Sequence, residues 1–150
     1  MSIEIVCLGK TKQGFVAEGI EEYAKRIRVW RPFRMVEQKD VSLSLAGSVE
    51  EVKRREATIL GRWLEGAHTI LLDERGEEPD TVAFAELLRA QPQLRFIIGG
   101  VYGVDDSLRT AAAQVVSLSR LTFTHQLARL VLAEQIYRGL CIVHGKAYHY

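Results

Sequence analysis

The chain has 150 residues, 47% of them hydrophobic and 26% charged, the length and make-up of one globular domain with its own core. Twenty Lys and Arg against nineteen Asp and Glu exclude a partner held by bulk positive charge alone. No apolar run is long enough to span a membrane, MSIEIVCLGK has no signal-peptide layout, and the lone Cys7 and Cys141 form neither a disulfide framework nor a zinc set, so a soluble cytoplasmic protein without a metal is expected, its two thiols buried and free.

Ile3–Gly9 is short, β-branched and closed by Gly, which predicts a buried strand. Phe15, Gly19/Ile20, Tyr23/Ala24 and Ile27 recur at helical spacing, and Pro32 ends that helix. Phe33–Glu37 alternates as a second strand. Ser48 and Glu51 have the spacing of a capping box, before a helix with Val49, Val52, Ile59, Leu60, Trp63 and Leu64 on one stripe. On its other side Glu50/Arg54 and Glu51/Arg55 have the spacing of i,i+4 pairs. A strand through Leu72 precedes an acidic loop, and Asp80 or Thr81 caps a short helix to about Ala90. Leu94–Gly100 is the most apolar strand and breaks at a Gly pair. Asp105-Asp106-Ser107 caps another short helix, and VVSLS (Val115–Ser119) makes the last strand before a long final helix. Strands alternating with helices predict one α/β domain over residues 1–150 with a mostly parallel sheet covered on both faces.

Ligands of such sheets bind beyond the carboxyl ends of the strands. Three segments lie there: the loop after Leu72, the Gly loop after Ile98, and Leu118–Phe123. The Gly loop, IIGGVYGVDD, has neither the dinucleotide fingerprint nor a Walker Lys. Its glycines fit a tight turn or a close approach of backbone to ligand. Asp105 and Asp106 beside it disfavour a phosphate and tolerate a cation such as a sulfonium.

From Gln126 to Cys141 apolar residues point in nearly every direction, yet Arg129, Glu134 and Arg138 are set among them. A helix apolar all round is buried all round, and a second subunit covering it predicts a homodimer. The three charges are then either ion pairs between subunits or part of a site at the interface. Charge is uneven along the chain: Lys10–Lys39 carries eight basic and four acidic residues, and Ser117–Tyr150 four basic and one acidic. These stretches are either solvated surface or a local phosphate footprint. The closing Tyr148-His149-Tyr150 is either a frayed end or a flap bringing aromatic faces and an imidazole to a site.

Taken together, VCLGKTK, EEYAKRI, LLDERG, IIGGVYG, the long SLSRLTFTHQLARLVLAEQIYR and the closing AYH resemble the RlmH family of 23S rRNA pseudouridine N3-methyltransferases, in the SPOUT superfamily. The resemblance covers essentially the whole chain. It implies a C-terminal trefoil knot, which sequence physics alone would not suggest, a homodimer, and S-adenosylmethionine (SAM) held in the knot by Leu72, Gly99, Leu118, Ser119, Arg120, Leu121, Thr122 and Phe123. It implies as substrate a pseudouridine of 23S rRNA in the assembled ribosome. His149, as base or orienter, Tyr148 and Arg138 would act on the target base, and Arg129 and His125 would meet RNA or order the cofactor loop. Imidazoles as a class titrate near neutrality, which suits His149 to proton transfer. Thr124 stands where the family often has Pro, and Tyr150 where a basic residue is common. Two other readings fit the residues: a SPOUT-type enzyme acting on another rRNA or tRNA nucleotide, and a non-catalytic α/β binding module.

Overall fold

The structure is a computed structural model and describes residues 1–12 and 14–150. In chain order it runs β1 (Ser2–Leu8), α1 (Gly14–Arg28), β2 (Phe33–Gln38), α2 (Leu43–Ala46), α3 (Val49–Gly61), β3 (His68–Glu77), α4 (Thr81–Ala90), β4 (Gln93–Ile98), α5 (Asp106–Ala111), β5 (Gln114–Val116) and α6 (His125–His144). Among the described residues five strands form one sheet in the order β2-β1-β4-β3-β5, every neighbour parallel. The α/β class and the parallel sheet are as the alternating pattern predicts.

The two-residue period of a strand divides the core. Ile3, Ile5 and Cys7 of β1, with Ile70, Phe96 and Ile98, pack against α1, α4 and α6. Val6, Leu8, Leu71 and Ile97 turn the other way, onto Leu60 of α3 and Leu108 of α5. Fully burying one such side chain contributes about 1.5–3 kcal/mol, so neither face is dispensable.

α6 lies between α1 and α4 on one face of the sheet. Its neighbours meet it closely: a Cβ on Gly19 would stand 2.7 Å from a methyl of Leu130, so a larger residue there would make that side chain move. This arrangement meets part of the expectation drawn from the apolar wheel. The domain itself covers two sides of α6 and buries nine of its twenty residues, while Leu127 stays exposed and Leu130, Val131, Ile142 and Val143 are only half-buried.

Other boundaries differ for local reasons. Phe15 is exposed, and Val16 leads the buried stripe of α1 in its place. β3 runs to Glu77, because the chain rejoins β5 at Val116 after a register break beyond Leu72. β5 ends at Val116 rather than Ser119. Ser48 accepts from the Glu51 amide as predicted, but the Glu51 carboxylate is taken by Arg54 and Arg55, so the return half of the box is not made and Glu50 does not pair with Arg54. Asp80, not Thr81, caps α4, accepting from Ala83 N at 2.8 Å. Cys7 and Cys141 are buried free thiols, and no helix among the described residues is long and apolar enough to cross a membrane.

Candidate functional site

A cavity of about 760 Å³ opens beyond the carboxyl ends of β3, β4 and β5. Its walls are Leu72–Arg75, Ile98–Val104, the segment after β5 and the first turn of α6. All three carboxyl-end segments picked out in the sequence therefore meet at one place. Leu72, Gly99, Leu118, Ser119, Leu121, Thr122 and Phe123 line it. Arg120 does not: its guanidinium turns outward and donates to Glu78 at 2.8 Å.

Hydroxyl groups shape the segment after β5. Ser117 Oγ donates to the Ser119 carbonyl at 3.0 Å, and Ser119 Oγ accepts from Leu121 N at 2.9 Å. Thr124, where a Pro was the pattern, caps α6 by accepting from Leu127 N at 3.1 Å, a bond worth about 1 kcal/mol to a helix. The Gly loop closes as a tight turn, with Gly103 N donating to the Gly100 carbonyl at 3.1 Å and Gly103 at a φ of 89°. Asp105 and Asp106, which hinted at a cationic ligand, are otherwise employed. Asp105 caps α5 through Ser107, which holds its carboxyl below the usual range, and Asp106 pairs with Arg109. The acids in the wall are instead Asp73, paired with Arg109, and Glu74. Sequence reasoning passed over Asp73, Arg109 and Lys53, whose pattern is that of ordinary surface charge.

His125 lines the same cavity. Burial, and after it the charges of Arg129 and Lys12, lower its pKa, so it stands neutral there and is no cationic anchor for RNA. Arg129 corrects its assignment more sharply. It is completely buried and makes no contact outside the chain: Nη2 donates to the Leu8 carbonyl at 2.6 Å and Nη1 to Thr11 Oγ1 at 2.9 Å, with Glu37 at 3.4 Å. It is neither an inter-subunit ion pair nor an RNA contact. Gln126, one turn earlier, assists it by accepting from Lys12 N at 2.9 Å and donating to the Lys10 carbonyl at 3.0 Å. A buried Gln and Arg thus fix the loop after β1 to the start of α6. Their only trace in the sequence is polarity in an apolar helix.

The expected catalytic side chains form a second cluster at the far end of α6. Arg138 donates twice to Glu134 Oε1, at 2.6 and 2.9 Å. Tyr148 O–H donates to the same oxygen at 3.2 Å. The Arg138 guanidinium lies 4.8 Å from the Tyr148 ring centroid, and its Nη1 is 3.2 Å from His149 Nδ1. Tyr148 meets Tyr137 edge-on at 4.7 Å, so the tail is folded down rather than frayed. Burial, with Tyr23 and Glu134 adding to it, raises the Tyr148 phenol above its ordinary pKa and keeps it protonated. His125 and Arg138 are separated by thirteen residues of one helix, about 20 Å along its axis. One chain therefore gathers the cavity residues and gathers the tail residues, but does not join the two groups. No cluster of His, Cys, Asp and Glu suited to a metal ion occurs among the described residues.

Residues 1–149 match the family model described as a predicted SPOUT methyltransferase. The chain is 42% identical to a protein of Geotalea uraniireducens (strain Rf4) named ribosomal RNA large subunit methyltransferase H, over the whole of both chains. It is 39% identical to the protein of the same name from Thermodesulfovibrio yellowstonii, over 95% of this chain and 94% of that one. Among solved structures, a probable methylase family protein of Haemophilus influenzae Rd KW20 superposes with a TM-score of 0.55 at 11% identity, over 99% of this chain and 70% of that one. A putative RNA methyltransferase of Bacillus anthracis does so with 0.52 at 11%, over 99% and 100%. Those two likenesses show a shared fold.

Proposed function

Since this chain belongs to the SPOUT methyltransferase family, with full-length relatives among the ribosomal RNA large subunit methyltransferases H, we propose that it is a SAM-dependent enzyme that methylates N3 of a pseudouridine in 23S rRNA of the assembled ribosome, in the cytoplasm. The observation that carries this reading is the meeting of seven of the proposed cofactor positions in one cavity beyond three parallel strands. The cavity suits SAM. Its volume is in the range of small-ligand sites, its lining mixes apolar side chains with the Ser119 and Thr122 hydroxyls, and Asp73 and Glu74 place acids in its wall. Bound there, SAM supplies an electrophilic methyl group.

The tail cluster would handle the base. Ionising a uracil N3–H passes its proton to solvent water and spreads negative charge over the flanking carbonyl oxygens, and donors fixed beforehand lower its cost. Arg138 can only donate, so its contact with His149 Nδ1 makes that nitrogen the acceptor and leaves the proton of a neutral imidazole on Nε2. In this geometry His149 orients the base and donates to its oxygen. Arg138 adds positive charge, and Tyr148, held by Glu134, supplies a protonated phenol and an aromatic face.

The roughly 20 Å between cavity and tail cluster is the reason for the finer part of the proposal. The enzyme acts as a homodimer in which the tail of one copy closes over the cavity of the other, and its C-terminal segment is threaded as a trefoil knot. Exposed Phe15 and Leu127 offer apolar surface for that pairing.

The test is transfer of labelled methyl from SAM to unmethylated ribosomes and to free subunits, followed by mapping of the labelled nucleotide. Label on a large-subunit pseudouridine, chiefly in assembled ribosomes, is the expected result. Label on another nucleotide would keep the chemistry and replace the substrate. Absence of label in every form would remove the activity.

A further inference from the structure

Glu56 occupies the middle of α3, between the buried Val52 and Leu60. It is 5% exposed, and its Oε1 has no hydrogen-bond partner. An orphaned oxygen in such a place costs stability and calls for a reason. Its neighbour supplies one. A Cβ built on Gly100 would stand 2.6 Å from both carboxyl oxygens of Glu56 and 2.9 Å from its Cδ. The carboxyl group is thus packed directly behind the Gly loop, whose other side, from Gly99 to Gly103, lines the cavity. Glu56 is outside the cavity wall.

The surroundings favour the neutral acid. Burial, and after it the charge of Asp40 in the loop after β2, push the Glu56 carboxyl up to about 7, with a backbone bond from Val41 acting the other way. Among the described residues, the other elements packed on α3 bring no free cation. α2 has no charged residue, and Arg109 of α5 is paired with Asp73 and Asp106. Asp105, also beside α5, is occupied as a cap. Glu4 of β1 is held by Arg34 and Arg95. Lys53, one turn back on α3, borders the cavity.

We propose that Glu56 is a positioning residue for the cofactor: its neutral carboxyl, packed on Gly100, holds the Gly99–Gly103 turn where SAM is bound, and its ionisation loosens that turn. This rests on the reading of the cavity as the SAM site. The experiment is calorimetric titration of SAM into the full-length protein and into Glu56→Gln, a neutral isostere, from about pH 6 to pH 8.5. The ratio of wild-type Kd to variant Kd should rise with pH, by up to about tenfold per unit above the transition, the limit for one linked proton. Taking the ratio removes titration of the cofactor's own amino group. Parallel profiles with normal SAM binding would overturn the role of Glu56 alone. No SAM binding by the wild type at any pH would overturn the cavity reading, and this proposal with it. A second measurement needs no variant: the Gly100 amide resonance of the free wild-type protein should shift across the same pH range, and a static resonance would refute the coupling.

Discussion

Arg129, on the second turn of α6, donates to the carbonyl oxygen of Leu8, the last residue of β1, from a position with no solvent exposure. This bond ties the sheet to the helix whose first turn borders the cavity. Replacing Arg129 by Met keeps much of the bulk but leaves the Leu8 carbonyl and the Thr11 hydroxyl without their donor. Orphaning the buried Leu8 carbonyl costs about 1–3 kcal/mol, and the half-buried Thr11 hydroxyl adds less. Urea unfolding of Arg129→Met should show a loss of about 3 kcal/mol. A change below about 1 kcal/mol would mean that water replaces the guanidinium.

The tail cluster makes a separable prediction. Arg138→Ala or His149→Ala should lower kcat by about 10²–10³-fold, the usual cost of losing one donor aimed at a developing charge. SAM affinity should stay within about threefold, since none of the cluster lines the cavity. Turnover at the wild-type rate in both variants would end the assignment.

Arg120 provides the opposite test. Its side chain faces solvent and pairs with Glu78, and exposed pairs contribute about 0–1 kcal/mol. Arg120→Ala should leave the Kd for SAM within about twofold. Thr122→Arg, which pushes a long cation into the cavity, should abolish binding. Loss of affinity in Arg120→Ala would return its guanidinium to the cofactor site.

Two buried acids should give opposite pH signatures. Burial works to raise the pKa of Glu4, but bonds from Arg95 and Arg34 outweigh it and hold the carboxyl below 4.5. The folded state binds that proton less tightly than the unfolded one, so the stabilisation is present above the ordinary pKa and is lost as pH falls through the folded value. The carboxyl of Glu56 is raised from 4.5 to about 7. Its folded state holds the proton more tightly, so stability falls as pH rises from 4.5 to about 7 and is level beyond. Melting temperatures should show Glu4→Gln losing the acid-limb slope of the wild type and Glu56→Gln losing the decline toward neutrality. An unchanged slope in either variant would remove that carboxyl from the account.

Period and punctuation carried most of the fold. Short apolar runs ended by Gly gave β1 and β4, and the Asp80 and Ser48 caps fixed two helix starts, because these features depend on neighbours in the chain. The break in β3 was not visible, since it depends on how β5 pairs with both Leu72 and Glu77. Nor was the packing of α6 between α1 and α4, which buries nine of its twenty residues without another subunit. The cavity was legible as three segments because strand ends converge in a parallel sheet. Glu56 was not, since an acid in RREAT has the pattern of helix surface and only the tertiary fold places Gly100 over it. Arg129 shows the same limit: polarity in an apolar helix announces a buried partner without saying which.

The length of α6 acts as a ruler. It borders the cavity at one end and carries Glu134 and Arg138 toward the other, so both stations share one rigid rod. Adding a single residue between them would turn the far station by about 100° and advance it about 1.5 Å, taking Ile136, Tyr137 and Leu140 out of their places in the core. Its exposed positions can therefore drift by substitution, but its length is closed to change by insertion or deletion. In the proposed dimer the spacing between cofactor and base is then set by how two such rods are docked.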